Sequence, residues 1–273
     1  MSFTKVFFLS SEIEPFSSTY SLSNFSFKFG LEIKKDKNVD IRMCQPKYGY
    51  ISERKYILRE VIRLKDLEVD FNQTQRVANL KSAFIPQSRV QVYFMEDETF
   101  FKSSNELLYK SKNGRFLPDN NLSFAFFSKT VLFSLKKLFW APEVIVSNDW
   151  QMSFIPILGK ALFSQDEFYK NIKYVHLIHS YNDWVNFTQE SFDSLDLSQD
   201  DCKTNDNFLN PIDYADLTII LNDINNPIIS KIKKNASAKK ILNNVKHKIY
   251  DIDYSSEDYK AQIKNVINDI RSF

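Results

Sequence analysis

The chain has 273 residues, 36 of them basic and 34 acidic, for a net charge of +2. Charges that nearly cancel argue against a dedicated nucleic-acid or membrane-surface protein, and 43 % apolar residues argue against global disorder. No stretch reaches the ~20 apolar residues of a membrane span, and the apolar run after Lys5 meets Glu12 and Glu14 too soon for a secretory leader.

In chain order, 5–10 reads as a buried strand. Ser11, Glu12 and Pro15 then lead through a polar loop into an amphipathic helix over 22–34. Strands are expected at 39–44 and 90–95. A helix follows at 121–139, where Phe124, Phe127, Val131, Leu135 and Leu138 fall on one face. A strand at 143–147, a helix at 152–163, and strands at 173–179 and 217–221 complete the alternation. Several strands are continuous apolar runs, as parallel strands buried on both faces are. Alternating β and α elements predict an α/β fold, a single doubly wound, mostly parallel Rossmann-like sheet, with ligands at the carboxyl edge of its strands.

Residues 188–210 are polar, acidic and aperiodic, and are expected to form a mobile loop. Five lysines between Lys231 and Lys240 are either a solvated face or a patch for an acidic partner. Ser255 with Asp258 suggests a capping box for a tail helix, in which Tyr259, Ile263, Val266, Ile267 and Ile270 share a face. Cys44 and Cys202 lack metal or redox spacing, so two reduced thiols in a cytoplasmic protein are expected.

A series of short motifs then falls in a fixed order. Ser11, Glu12, Pro15, Thr19 and Leu22 open it, and Pro46-Lys47-Tyr48-Gly49 and Val92-Tyr93-Phe94 follow. Phe124-Ala125-Phe126-Phe127-Ser128, Asn148-Asp149-Trp150-Gln151, Tyr214-Ala215-Asp216 and Ile241-Leu242-Asn243 complete it. In this order the chain resembles the N-terminal half of bacterial glycogen synthases and plant starch synthases. These are retaining glucosyltransferases of the GT-B fold that extend α-1,4-glucan from ADP-glucose. The resemblance implies a domain over 1–250 and a helical tail over 251–273, with the nucleotide-sugar domain absent. It implies no cofactor and no metal. The ligand would be α-glucan or ADP-glucose, with a partner chain as one source of the second domain, and neither nucleic acid nor membrane is implied.

The family's loop after the proline reads Lys-Thr-Gly-Gly-Leu-Ala-Asp. Here Ser18 stands for the lysine, Tyr20 and Ser21 for the glycines, and Asn24 for the aspartate. A lysine beside two glycines suits a departing diphosphate, because the backbone can approach closely and the ammonium supplies charge. The resemblance therefore implies a degenerate member with little or no turnover alone, or a non-catalytic glucan-binding or regulatory protein. By the same resemblance, His179 and Asp149 are retained catalytic-cleft positions, and Ser18, Thr19, Asn24 and Trp150 are substrate-binding positions. Structural alternatives stand beside these roles. His179 is also consistent with a satisfied strand-end histidine, Asp149 with an N-cap opening 151–163, and Trp150 with core packing. His176 and His179, three apart in a strand, are expected on opposite faces and so not at a shared metal.

Overall fold

The computed structural model describes residues 4–102, 107–181, 187–201, 206–256 and 259–272. Cys202 and Asp258 lie outside the described residues.

The strands are β1 (Thr4–Ser10), β2 (Val39–Pro46), β3 (Arg59–Glu60), β4 (Leu67–Phe71), β5 (Thr74–Phe84), β6 (Gln91–Glu96), β7 (Val144–Asn148), β8 (Lys173–Ile178), β9 (Leu217–Asp223) and β10 (His247–Ile252). They join in the order β10-β9-β8-β7-β1-β2-β6-β5-β3, with β4 paired to β5. From β10 to β6 every pairing is parallel, whereas β5 runs antiparallel to β6, β3 and β4. All six strands read from the sequence are present, and the sheet is the doubly wound, mostly parallel one expected.

The helices are α1 (Ser21–Ile33), α2 (Glu53–Tyr56), α3 (Asn120–Leu138), α4 (Phe154–Ala161), α5 (Gln189–Asp193), α6 (Leu209–Tyr214), α7 (Ile229–Ile232), α8 (Ala236–Leu242) and α9 (Lys260–Ser272). Aromatic side chains fill much of the core. Phe8 stacks on Phe29 of α1 at 4.6 Å between centroids, and Phe71 meets Phe126 of α3 edge-on at 5.1 Å. Close approach fixes two of the few glycines. A Cβ on Gly49 would lie 1.8 Å from the Lys102 carbonyl oxygen, and one on Gly159 would lie 2.1 Å from the Tyr174 ring.

Two expectations need correction. The described part of 188–210 carries α5, the start of α6 and a 3-10 turn, with Phe192, Leu195 and Leu197 buried. Its acidic residues mask these spaced apolar anchors. Ser255 does not cap the tail helix. That helix starts at Lys260, and the Ser255 hydroxyl donates instead to Asp253. Ile241 and Leu242 end α8, and β10 follows them as the last strand. The lysines of 231–240 are all exposed on α7, α8 and the turn between them, as a solvated face is.

Candidate functional site

In the strand order, β2 and β6 extend from one side of β1 while β7 and β8 extend from the other. The crevice above the β1–β7 pair is thus the topological switch point, where open α/β sheets place ligands. The loop 11–20 leaves β1 there. Asp149 follows β7 and His179 follows β8, so the structure brings together the edges expected to carry the site.

Asp149 is fully buried, and its backbone is held at φ 66° and ψ −176°. That region is open essentially only to glycine and costs about 1–3 kcal/mol for other residues. The side chain does not cap the following turn. Instead Oδ1 accepts the backbone N–H groups of His179 and Ser180, each at 3.0 Å. Oδ2 accepts the hydroxyls of Ser180 at 2.7 Å and Tyr20 at 2.8 Å. The N-cap reading is therefore replaced by a clamp between the ends of β7, β8 and the β1 loop. Burial raises the carboxyl's pKa, and these donors oppose the rise.

His179 is 7 % exposed and has both ring nitrogens engaged. Asn148 donates its amide N–H to Ser10 and Ser26, which turns its Oδ1 toward His179 Nε2 at 2.7 Å. The proton therefore sits on Nε2. Nδ1 accepts the Tyr254 hydroxyl at 2.6 Å, and the Phe25 ring packs edge-on at 4.7 Å. Burial pushes the imidazole pKa down to about 3. His176 has a separate partner: its Nδ1 lies 2.8 Å from the Ser147 hydroxyl oxygen.

The loop before α1 is organised by Glu12, which is fully buried and accepts both the backbone N–H and, at 2.7 Å, the hydroxyl of Thr19. The Tyr109 hydroxyl lies 2.6 Å from the same carboxyl group. Desolvation raises the Glu12 pKa. No residue from Ser18 to Ser21 has a positive φ, and Tyr20 is extended at φ −155°. The local backbone thus accepts a Cβ at both positions that the family resemblance assigns to glycine. The Tyr20 side chain reaches Asp149 and receives the Gln151 amide at 3.0 Å.

The remaining expected site residues are placed unevenly. Ser18 is exposed, and its hydroxyl lies 2.7 Å from that of Ser23. Asn24 donates to Glu14 at 2.7 Å and accepts the Tyr259 hydroxyl at 2.8 Å. With Thr19 and Tyr254 they border an open depression of about 460 Å³. Trp150 is separate from this group: its ring packs edge-on against Tyr109 and Phe124, at 5.4 and 5.7 Å. Partly buried, it packs against the core and does not line the depression. Sequence reading missed Tyr109 and Tyr254, which arrive from distant segments with no local signal. It also missed Glu12 as an organising carboxylate, although the Ser-Glu pair was visible. The fixed carboxylates at this edge are Glu12, Glu14 and Asp149, and Lys28, the basic residue in the depression's lining, lies over the Tyr259 ring at 4.0 Å. Among the described residues, the lining of the depression thus carries one acidic and one basic side chain, Glu14 and Lys28, while Glu12 and Asp149 lie buried behind it.

Comparison with known proteins fits this geometry. The family model described as the starch synthase catalytic domain matches residues 5–221. The glycogen synthase of Pelodictyon phaeoclathratiforme is 36% identical over 176 residues, 64% of this chain and 36% of that protein. That of Chlorobaculum parvum is 31% identical over 222 residues, 78% of this chain and 44% of that protein. The chain thus spans less than half the length of these curated relatives. The catalytic domain of starch synthase IV from Arabidopsis thaliana, solved with ADP and acarbose, superposes with a TM-score of 0.73 at 16% identity. The match covers 93% of this chain and 53% of that one, and shows a shared fold.

Proposed function

The chain belongs to the starch synthase catalytic domain family, and from that premise we propose that it forms the glucan-facing side of a glucosyltransferase fold. By itself it does not transfer glucose from ADP-glucose. The observation that carries this reading is Tyr20. Its side chain stands where the family resemblance puts a glycine, and its hydroxyl is spent on Asp149 Oδ2. Of the loop's backbone amides, that of Thr19 is already donated to Glu12, and Ser18 supplies no charge. Losing one preorganised donor of this kind costs about 10²–10³ in rate. Glu12 and Asp149 are buried and already hold donors of the protein itself, so the open hydroxyl partners for a ligand are those of the loop surface, Ser18 and Thr19. The protein acts in the cytoplasm, as a member that binds α-glucan without turning it over.

A second reading is favoured by the intact Asn148–Asp149–His179 group at the switch point. In it, the chain is an enzyme half completed by a donor-binding domain on a partner chain. Addition of a separately expressed donor-binding domain would then restore ADP release.

Calorimetric titration with ADP and with maltotriose tests the first reading. The native chain is expected to bind maltotriose and not ADP. The triple variant Ser18→Lys, Tyr20→Gly, Ser21→Gly is expected to gain ADP binding by at least about tenfold, the scale of one charge-assisted contact. Tight ADP binding by the native chain would overturn the reading.

A further inference from the structure

We infer that the arm 253–256, which follows β10, is a built-in occupant of the cleft, holding Tyr254 where a ligand hydroxyl would otherwise meet His179. The inference rests on reading the cleft as a sugar-binding face. With Tyr254 in place, His179 has no nitrogen left for a ligand: Nδ1 takes the Tyr254 hydroxyl, and Nε2 donates to Asn148. At the start of the tail helix, Tyr259 donates to Asn24 of α1 at 2.8 Å. The Tyr254 ring packs edge-on against that of Tyr259 at 5.5 Å, and Tyr259 is itself buried in the core.

The anchors of this arm differ from the arm itself. Upstream, β10 is a strand of the sheet. Downstream, α9 buries Ile263, Val266, Ile267 and Ile270, and Arg271 pairs with Asp36 at 2.6 Å. Between them, Ser255 and Ser256 are exposed, and a short turn is held by Asp253 accepting from Ser255 and Asn225. Release of Tyr254 would break its hydroxyl bond to His179 and its ring contacts, and leave β10 and the buried α9 stripe, Tyr259 included, in place. A sugar that offers a hydroxyl to His179 competes for the contact Tyr254 now makes. Its apparent affinity is its intrinsic affinity multiplied by the fraction of molecules in which the arm is open.

Two substitutions in the full chain test this, Tyr254→Phe and Tyr254→Ala, each first shown to be folded by a dispersed amide spectrum. The readouts are the imidazole resonances of the 3 histidines against pH and the maltotriose affinity. Groups facing His179 are Asp149, which accepts its N–H, Asn148, Phe25, Tyr254 and, one turn of strand away, His176. The native His179 is expected to stay neutral, with its proton on Nε2, down to about pH 4.5. Tyr254→Ala admits water and should bring its midpoint toward the ordinary value of about 6.5. Maltotriose should bind about tenfold tighter to Tyr254→Ala and about threefold tighter to Tyr254→Phe, which keeps the ring. An unmoved His179 titration with unchanged affinity in both variants overturns the inference. If His179 titrates freely in Tyr254→Ala while no variant binds maltotriose, the arm is a true cover and the sugar-binding reading is what fails.

Discussion

Asp149 shows how one residue can be costly locally and necessary regionally. Its backbone sits at φ 66° in a glycine-only region, yet its carboxyl group ties His179, Ser180 and Tyr20 together. Two substitutions separate those effects. Asp149→Ala keeps the strain and orphans two buried N–H groups, at about 1–3 kcal/mol each. Asp149→Gly orphans the same groups and relieves the strain, so it should be more stable than Asp149→Ala by about 1 kcal/mol or more in urea unfolding. Equal stabilities would mean that the conformation is not strained. His176 is informative through pH. Buried beside Ser147, its imidazole is held down to about 3, against about 6.5 in an unfolded chain. Between those values the unfolded chain binds a proton that the fold does not, so the fold gains stability as pH rises and loses it as pH falls. The stability difference between the native chain and His176→Gln should therefore shrink on acidification from pH 6.5, by up to about 1.4 kcal/mol per pH unit. Parallel pH profiles would contradict this. The motif Asn148-Asp149 was legible from sequence, but the clamp was not, because its partners lie 30 and 129 residues away.

At the scale of elements, the tail helix was readable because its apolar stripe repeats at helical spacing. Its docking place was not, because that depends on α1. In the structure α9 lies on α1 and β10 and buries the stripe. Each such side chain stabilises by about 1.5–3 kcal/mol. Replacing Ile263 or Ile270 by Ala should cost about 2–5 kcal/mol and lower Tm by several degrees; a change under about 0.5 kcal/mol would mean the helix is not docked in solution. The β4–β5 hairpin escaped notice for a different reason. Its turn residues Asn72 and Gln73 both have positive φ, the geometry of a two-residue hairpin, but glycine does not mark the second position. Leu67–Phe71 does alternate buried and exposed residues, a signal that was present and short.

At the scale of the molecule, the central strands announced themselves as apolar runs, and their carboxyl edge was the place to look for a site. Hydrophobic period carries that information locally. The contacts that close the site are Tyr20 to Asp149 and Tyr254 to His179, and they depend on side chains converging from separate loops. A Tyr20 in place of a small residue reads as a loss in sequence; in three dimensions it is a plug with its own hydrogen bonds. The central claim is that this plugged edge, without a lysine in its loop, does not support departure of a nucleoside diphosphate. The most direct measurement is glycogen-dependent release of ADP from ADP-glucose by the purified chain. The expected result is release no faster than in the absence of glucan, and sustained glucan-dependent release would contradict the account.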